Sequence, residues 1–322
     1  MDEAPVIDVR NLTVRFHGPR GLTGLKSDPV IAVDNISFAV QRRETLGLVG
    51  ESGCGKSTTG LAILNLIEAT SGSISVLGKT IASLSGAERR VMRQRMQIVF
   101  QDPYSSLNPR QRVADIIRAP LDIHNLGTPA ERRERVKLLM ARVGLRPDQA
   151  DNYPHQFSGG QRQRIGIARA LATQPELLIC DEPVSALDVS VQAQILNLLV
   201  ELQQEFGLSL LFISHDLSIV KHLSDRVAVM YRGRIVEIAP RATLFAAPCH
   251  PYTKLLLNSL PPRHPRERRR QHLAEDAPAA KAPSRSGCRF SARCPQVMDM
   301  CLHQDPELTS RGVSHAAACH LT

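Results

Sequence analysis

Three short stretches hold residues whose chemistry depends on spacing. The octet GESGCGKS, residues 50–57, has the form G-x-x-x-x-G-K-[ST]. Glycines permit the tight path in which successive backbone N–H groups wrap a phosphate chain at a helix N-terminus. Lys56 then reaches the β- and γ-phosphates and the Ser57 hydroxyl ligates Mg²⁺, with Gly50, Glu51, Ser52, Gly53, Cys54, Gly55 and Thr58 completing the cradle.

The run LLICDE (177–182) delivers Asp181 and Glu182 at the end of an apolar strand pattern. There a carboxylate can hold Mg²⁺ through water, and its neighbour can orient or deprotonate an attacking water. FISHD (212–216) ends a second apolar run at His215, where a neutral imidazole can bond a γ-phosphate and the water near it. In FSGGQRQR (157–164), Ser158 and Gln161 have the spacing of a capping box, which satisfies the free N–H groups of a helix's first turn. That leaves open why Gly159 and Gly160 stand at the same helix start.

The elements that must position these groups are legible in the periodicity. Residues 6–16 and 31–40 alternate apolar and polar residues, as half-buried antiparallel strands do, and 44–50 reads as a buried strand followed by a helix from about Lys56 to Ile67. Residues from about 102 to 173 form a mainly helical insert, with Thr128, Pro129, Glu131 and Gly144 marking the start and stop of one helix. Strand 176–183, helix 189–207 and strand 208–216 follow, an alternation that implies a parallel sheet with right-handed crossovers. Residues 227–240 read as a closing hairpin turning near Arg232 and Gly233.

At 322 residues and 43% apolar content the chain can bury a sizeable core. MDEAPVIDVR lacks a basic start followed by an apolar run, and no apolar stretch approaches the ~18–20 residues that span a bilayer, so a soluble cytoplasmic chain is expected. The net charge of +9 would suit nucleic acid or an anionic membrane, but much of it sits in RHPRERRR (263–270), read as a solvated linker that continues into the Pro/Ala-rich 274–287.

GESGCGKS, Gln101 in VFQDP, FSGGQ, LLICDEP, SALD (185–188) and His215 occur in the order found in ATP-binding-cassette ATPases, and the resemblance covers about residues 5–262. It implies an α/β P-loop NTPase with a RecA-like parallel-sheet core, an antiparallel β subdomain and the helical insert at about 102–173. It further implies two cassettes head to tail, with Ser158, Gly159, Gly160 and Gln161 of one presented to the γ-phosphate of ATP on the other. By the same resemblance Gln101 touches Mg²⁺ or the attacking water and senses the transmembrane partner, Asp188 communicates across the dimer, and Phe16 stacks on adenine; ordinary strand packing is the alternative for Phe16. Phe157 stands where the commonest family form has Leu.

PCHPYTKLLLNSLP (248–261) resembles the His-Pro-Tyr-Thr segment of peptide-importer ATPases, and FQDPYSSLNPR (100–110) resembles the second of their two paired subunits. The implied role is an ATP-hydrolysing subunit driving uptake of di- or oligopeptides, peripheral on the cytoplasmic face of the membrane. Its implied partners are a second, similar cassette, two permeases and a substrate-binding protein. Nickel and glutathione importers share this plan. The basic charge also allows a soluble nucleic-acid ATPase, which would bind with log-linear salt dependence; four Tyr, eight Phe and no Trp provide no interleaved aromatics for base stacking, so no nucleic-acid partner is expected.

Seven cysteines without a signal peptide argue for reduced thiols. Cys288, Cys294, Cys301 and Cys319 are spaced C-x5-C-x6-C-x17-C, too long for the usual zinc-finger pairs and unlike the common ferredoxin run. Spacing alone says only that four soft ligands stand within reach of one metal, and leaves open whether one is bound. GCRFSARCPQVMDMC resembles the C-terminal extension of peptide-importer ATPases, some of which hold a [4Fe–4S] cluster on four cysteines; that resemblance favours a cluster, with zinc next and free thiols last. His303, His315 and His320 lie close enough in sequence to replace one ligand, and Cys54, Cys180 and Cys249 read as structural. The expected organisation is a cassette at 5–262, a linker at 263–287 and a small cysteine-rich region at 288–322.

Overall fold

The computed structural model describes residues 4–16, 29–259 and 287–321. Apart from Gly287, the expected linker lies outside the described residues. The chain enters through two long antiparallel strands, β1 (Ile7–Phe16) and β2 (Val30–Val40), whose alternating residues send Ile7, Val9, Leu12, Val33 and Ile36 into one core. β3 (Thr45–Val49) is buried along its whole length and leads through the glycine loop into α1 (Lys56–Ile63). β4 (Ser71–Val76) and β5 (Lys79–Thr80) return to the first sheet, whose order is β2-β1-β4-β5.

Helix α2 (Gly86–Arg95) then feeds β6 (Met96–Val99). Between β6 and β7 (Leu177–Asp181) stand three helices, α3 (Val113–His124), α4 (Pro129–Arg142) and α5 (Gly159–Leu171), packed around Ile117, Leu121, Leu139, Met140 and Phe157. α6 (Val189–Phe206), β8 (Ser209–Ser214) and α7 (Leu217–Leu223) continue the alternation, and β9 (Arg226–Tyr231) pairs with β10 (Arg234–Pro240) as the expected hairpin. α8 (Arg241–Ala246), α9 (Pro251–Asn258), α10 (Asp299–His303), β11 (Thr309–Gly312) and β12 (His315–Ala317) complete the described chain. Among the described residues no helix is long and apolar enough to cross a membrane.

The main sheet runs β11-β12-β10-β9-β3-β8-β7-β6, with parallel pairing from β9 to β6. β7 and β8 are buried on both faces, which is why they read as continuous apolar runs. Two expectations change. α1 stops at Ile63 instead of about Ile67, because Asn65 takes a left-handed φ of 54° and Leu66 N–H closes back on the Leu61 carbonyl. The C-terminal region, expected as an appendage, is part of the main sheet: β12 pairs with β10, where Glu237 faces Ala317, and Phe290 is buried in the main core. An added strand covers the edge that β10 would otherwise expose.

Candidate functional site

β3, β8 and β7 are neighbours in register, so their carboxyl ends bring the glycine loop, His215 and the Asp181–Glu182 pair to one sheet edge. Gly55 closes the loop with φ 108°, and a Cβ there would sit 2.2 Å from the Ala32 carbonyl oxygen. A Cβ on Gly50 would fall 2.1 Å from the Met230 carbonyl oxygen. Both positions therefore exclude every side chain. α1 begins immediately at Lys56, which leaves its first N–H groups facing the loop.

Lys56 is 4% exposed, and its Nζ donates to the carbonyls of Gly50 at 2.8 Å and Glu51 at 3.0 Å. The same ammonium lies 3.9 Å from Glu182 Oε1. Ser57 Oγ donates to Asp181 Oδ1 at 2.9 Å. Glu182 Oε2 meets His215 Nδ1 at 2.9 Å and accepts from Gln101 Nε2 at 3.2 Å. Thus Lys56, Ser57, Gln101, Asp181, Glu182 and His215 converge on one edge, although His215 and Gln101 are exposed and the two carboxylates are not.

Glu182 adopts a left-handed φ of 46°, a conformation that costs a non-glycine residue about 1–3 kcal/mol. It is held by its own N–H on the Ile213 carbonyl and by its carbonyl, which accepts from Ser185 N and Oγ. The turn aims the carboxylate back over the sheet edge toward Lys56. Burial pushes the Asp181 carboxyl above its ordinary range, against the Ser57 hydrogen bond. Burial likewise raises the Cys54 thiol and pushes Cys180 up to about 12, so both stay protonated and inert.

The α5 start carries the expected capping box. Ser158 Oγ accepts from Gln161 N at 3.3 Å while Gln161 Oε1 accepts from Ser158 N at 2.9 Å, so the capping box is real. A Cβ on Gly160 would lie 2.3 Å from Val191 Cγ1, whereas one on Gly159 would meet only Leu187 Cδ2 at 3.4 Å. The packing of α5 on α6 by itself thus demands glycine at 160. Ser158 is exposed and Gly159 half-buried; among the described residues neither they, Gln161 nor Asp188 hydrogen-bonds to the phosphate loop. Asp188 stands exposed at the start of α6, and Phe16 ends β1 with 42% of its surface exposed.

Sequence reasoning missed Tyr252, which is fully buried and whose hydroxyl accepts from Glu51 N–H at 3.0 Å. Its only signal was membership of the HPYT segment. Burial raises its phenol above the ordinary range.

Cys288, Cys294, Cys301 and Cys319 line one cavity together with Phe290 and His320. Burial and the neighbouring thiols raise Cys288 to about 11 and Cys294 upward. Among the described residues the only group of three or more His, Cys, Asp or Glu side chains with ligand atoms within 4.8 Å of one another is Glu237, Cys249 and His315. That carboxylate is already satisfied: Glu237 Oε1 accepts from Cys249 N and meets His315 Nε2, both at 2.8 Å, and Oε2 accepts from His250 N at 2.9 Å. His315 therefore belongs to a buried hydrogen-bonded latch and not to the cysteine cavity. His303 projects outward with a side chain 74% exposed.

A family model described as ABC transporter matches residues 33–185, and one described as Oligopeptide/dipeptide transporter, C-terminal region, matches residues 236–301. The chain is 49% identical to the oligopeptide transport ATP-binding protein AppF of Bacillus subtilis over 324 residues, covering 99% of this chain and 98% of AppF. Among solved structures, cbiO1 from Clostridium perfringens, part of the ABC transporter complex cbiONQ, superposes with a TM-score of 0.66 at 30% identity, covering 76% of this chain and 92% of cbiO1. A dimeric post-hydrolysis structure of the cassette MJ0796 bound to ADP and Pi gives 0.64 at 27% identity, covering 73% of this chain and 98% of that one.

Proposed function

The chain belongs to the ABC-transporter ATP-binding proteins of the oligopeptide type, and from that premise we propose that it hydrolyses ATP at the β3–β8–β7 edge to drive peptide import. The observation that carries the reading is the single network joining Lys56, Glu182, His215 and Gln101, with Ser57 on Asp181 beside it.

Lys56 exchanges its bonds to the Gly50 and Glu51 carbonyls for the β- and γ-phosphates, which α1 N–H groups also meet. Ser57 and Asp181 are hard oxygen donors 2.9 Å apart and fit Mg²⁺, the carboxylate acting through water. Bound there, Mg²⁺ neutralises charge on the phosphate oxygens. Glu182 takes a proton from the attacking water, while His215 and Gln101 fix its carboxylate and line the γ-phosphate position. Phe16 offers its exposed ring to adenine.

Ser158 and Gly159 face outward, which suits completion of a site on a second cassette; the dimeric MJ0796 structure supports that arrangement, with Asp188 beside the shared boundary. The chain acts on the cytoplasmic face with a second, similar cassette and two permeases, to which a substrate-binding protein delivers peptide. Affinity purification of the tagged chain from native membranes tests this. Two permeases and a second cassette should co-purify, and Lys56→Ala should abolish peptide uptake. Co-purification of nucleic acid in place of permeases overturns the reading.

We also propose a [4Fe–4S] cluster on the four cysteines, a reading supported by their lining one cavity. One zinc would hold sulfurs about 3.8 Å apart, from Zn–S bonds of about 2.3 Å. No three of these thiols lie within 4.8 Å of one another, so they are not gathered at the spacing of a zinc site. Such a cluster would be held by Cys288, Cys294, Cys301 and Cys319 and would cross-link them. Iron and acid-labile sulfide in anaerobically purified protein check the assignment; stoichiometric zinc without sulfide ends it.

A further inference from the structure

The 3-10 turn Ser291–Arg293 lies between Cys288 and Cys294 of the cavity, which Ser291 helps to line, while Arg293 leaves the cavity for the cassette. Phe290 packs against Tyr231 at 5.3 Å and Tyr252 at 5.5 Å between ring centroids, which anchors the turn in the main core. Arg293 then reaches the phosphate loop: its Nη1 and Nη2 donate to Glu51 Oε2 and Oε1, each at 2.9 Å. This is the two-pronged geometry that matches guanidinium to carboxylate. Glu51 is consequently held at three points, its N–H by Tyr252, its carbonyl by Lys56 and its carboxylate by Arg293. Arg289, four residues earlier, ties the same lobe to Asp34 and the Arg232 carbonyl and does not touch the loop.

Resting on the ATPase reading above, we propose that Arg293 is a positioning residue for nucleotide binding, through which the cysteine-lined lobe holds the phosphate loop open for ATP. Two physical effects act together. A loop already fixed at Glu51 loses less conformational freedom when phosphates bind. Arg293 also neutralises the one carboxylate that the loop places beside an incoming polyanion; because both side chains are about 40% exposed, the effect is screened and stays modest. By reciprocity, bound nucleotide steadies the lobe as much as the lobe steadies the loop.

The test is equilibrium binding of a fluorescent ATP analogue with Mg²⁺ to the full chain, with KM and kcat measured in the assembled transporter. Arg293→Gln should weaken binding about three- to tenfold and raise KM by the same factor while kcat stays within twofold. Arg289→Ala should leave affinity unchanged, and Arg293→Gln in a Glu51→Gln background should add no further loss. Arg293→Lys, which keeps charge but loses one prong, should fall between. If Arg293→Gln fails to fold, Arg293→Lys against Glu51→Gln gives the same non-additivity. Wild-type affinity in Arg293→Gln, equal loss in Arg289→Ala, or additive losses with Glu51→Gln each overturn the proposal. Failure of the wild-type chain to bind the analogue instead overturns the ATPase reading.

Discussion

The two glycines that open α5 separate packing from ligand recognition in one experiment. Replacing Gly160 by Ala puts a methyl 2.3 Å from Val191 Cγ1, far inside contact distance, so α5 and α6 must part or Val191 must leave its rotamer. Overpacking of this kind costs about 1–3 kcal/mol. Alanine recovers up to about 1 kcal/mol of helix propensity, less in the first turn, which leaves a net loss near 1–2 kcal/mol. For a domain of this size each kcal/mol moves the melting midpoint by about 2–4 °C, so Gly160→Ala should melt about 2–8 °C lower. Gly159→Ala meets only Leu187 Cδ2 at 3.4 Å and should melt at or slightly above the wild-type temperature. Its methyl would instead stand on the outward face and weaken ATP-dependent pairing of cassettes. Thermal melting by circular dichroism at one scan rate, together with sedimentation in ATP and Mg²⁺, reads both effects. A destabilised Gly159→Ala beside an unperturbed Gly160→Ala would refute the packing argument.

Glu182→Gln keeps the shape that contacts His215 and Gln101 but cannot accept the water's proton, so phosphate release should fall about 10²–10⁴-fold while ATP affinity changes less than twofold; turnover within threefold of wild type would remove Glu182 from that role. His250 is buried, its Nδ1 accepts from Tyr252 N, and burial pushes its pKa down to about 4. The folded state therefore binds a proton less readily than the unfolded chain, whose imidazole titrates near 6.5; stability is full above about pH 6.5 and falls as pH drops toward 4, by about 1.4 kcal/mol per unit at most. Urea midpoints at pH 7 and pH 5 should differ accordingly, and His250→Asn, which keeps an acceptor for Tyr252 N, should flatten the difference; an unchanged slope in that variant counts against His250 as the source.

What could be read from residue order alone was whatever depends on near neighbours in the chain. The phosphate loop precedes a helix, Asp181, Glu182 and His215 end apolar runs, and the Thr128 and Ser158 capping boxes join residues three apart. Parallel pairing of buried strands then had to gather those strand ends at one edge. Even local signals failed where an unusual residue did the work, as Asn65 does in ending α1 early.

Contacts between distant segments belong to the tertiary structure. Arg293 meets Glu51 across 242 residues because Phe290 is buried beside Tyr231 and Tyr252, and no periodicity records that docking. Gly160 faces Val191 only once α5 lies on α6, so Gly159 and Gly160 look alike in sequence and differ in packing. His315 turns from the cysteine cavity to Glu237 because β12 pairs with β10. Spacing along a chain sets which side chains share a local face, while the order of strands in the sheet sets which distant faces meet.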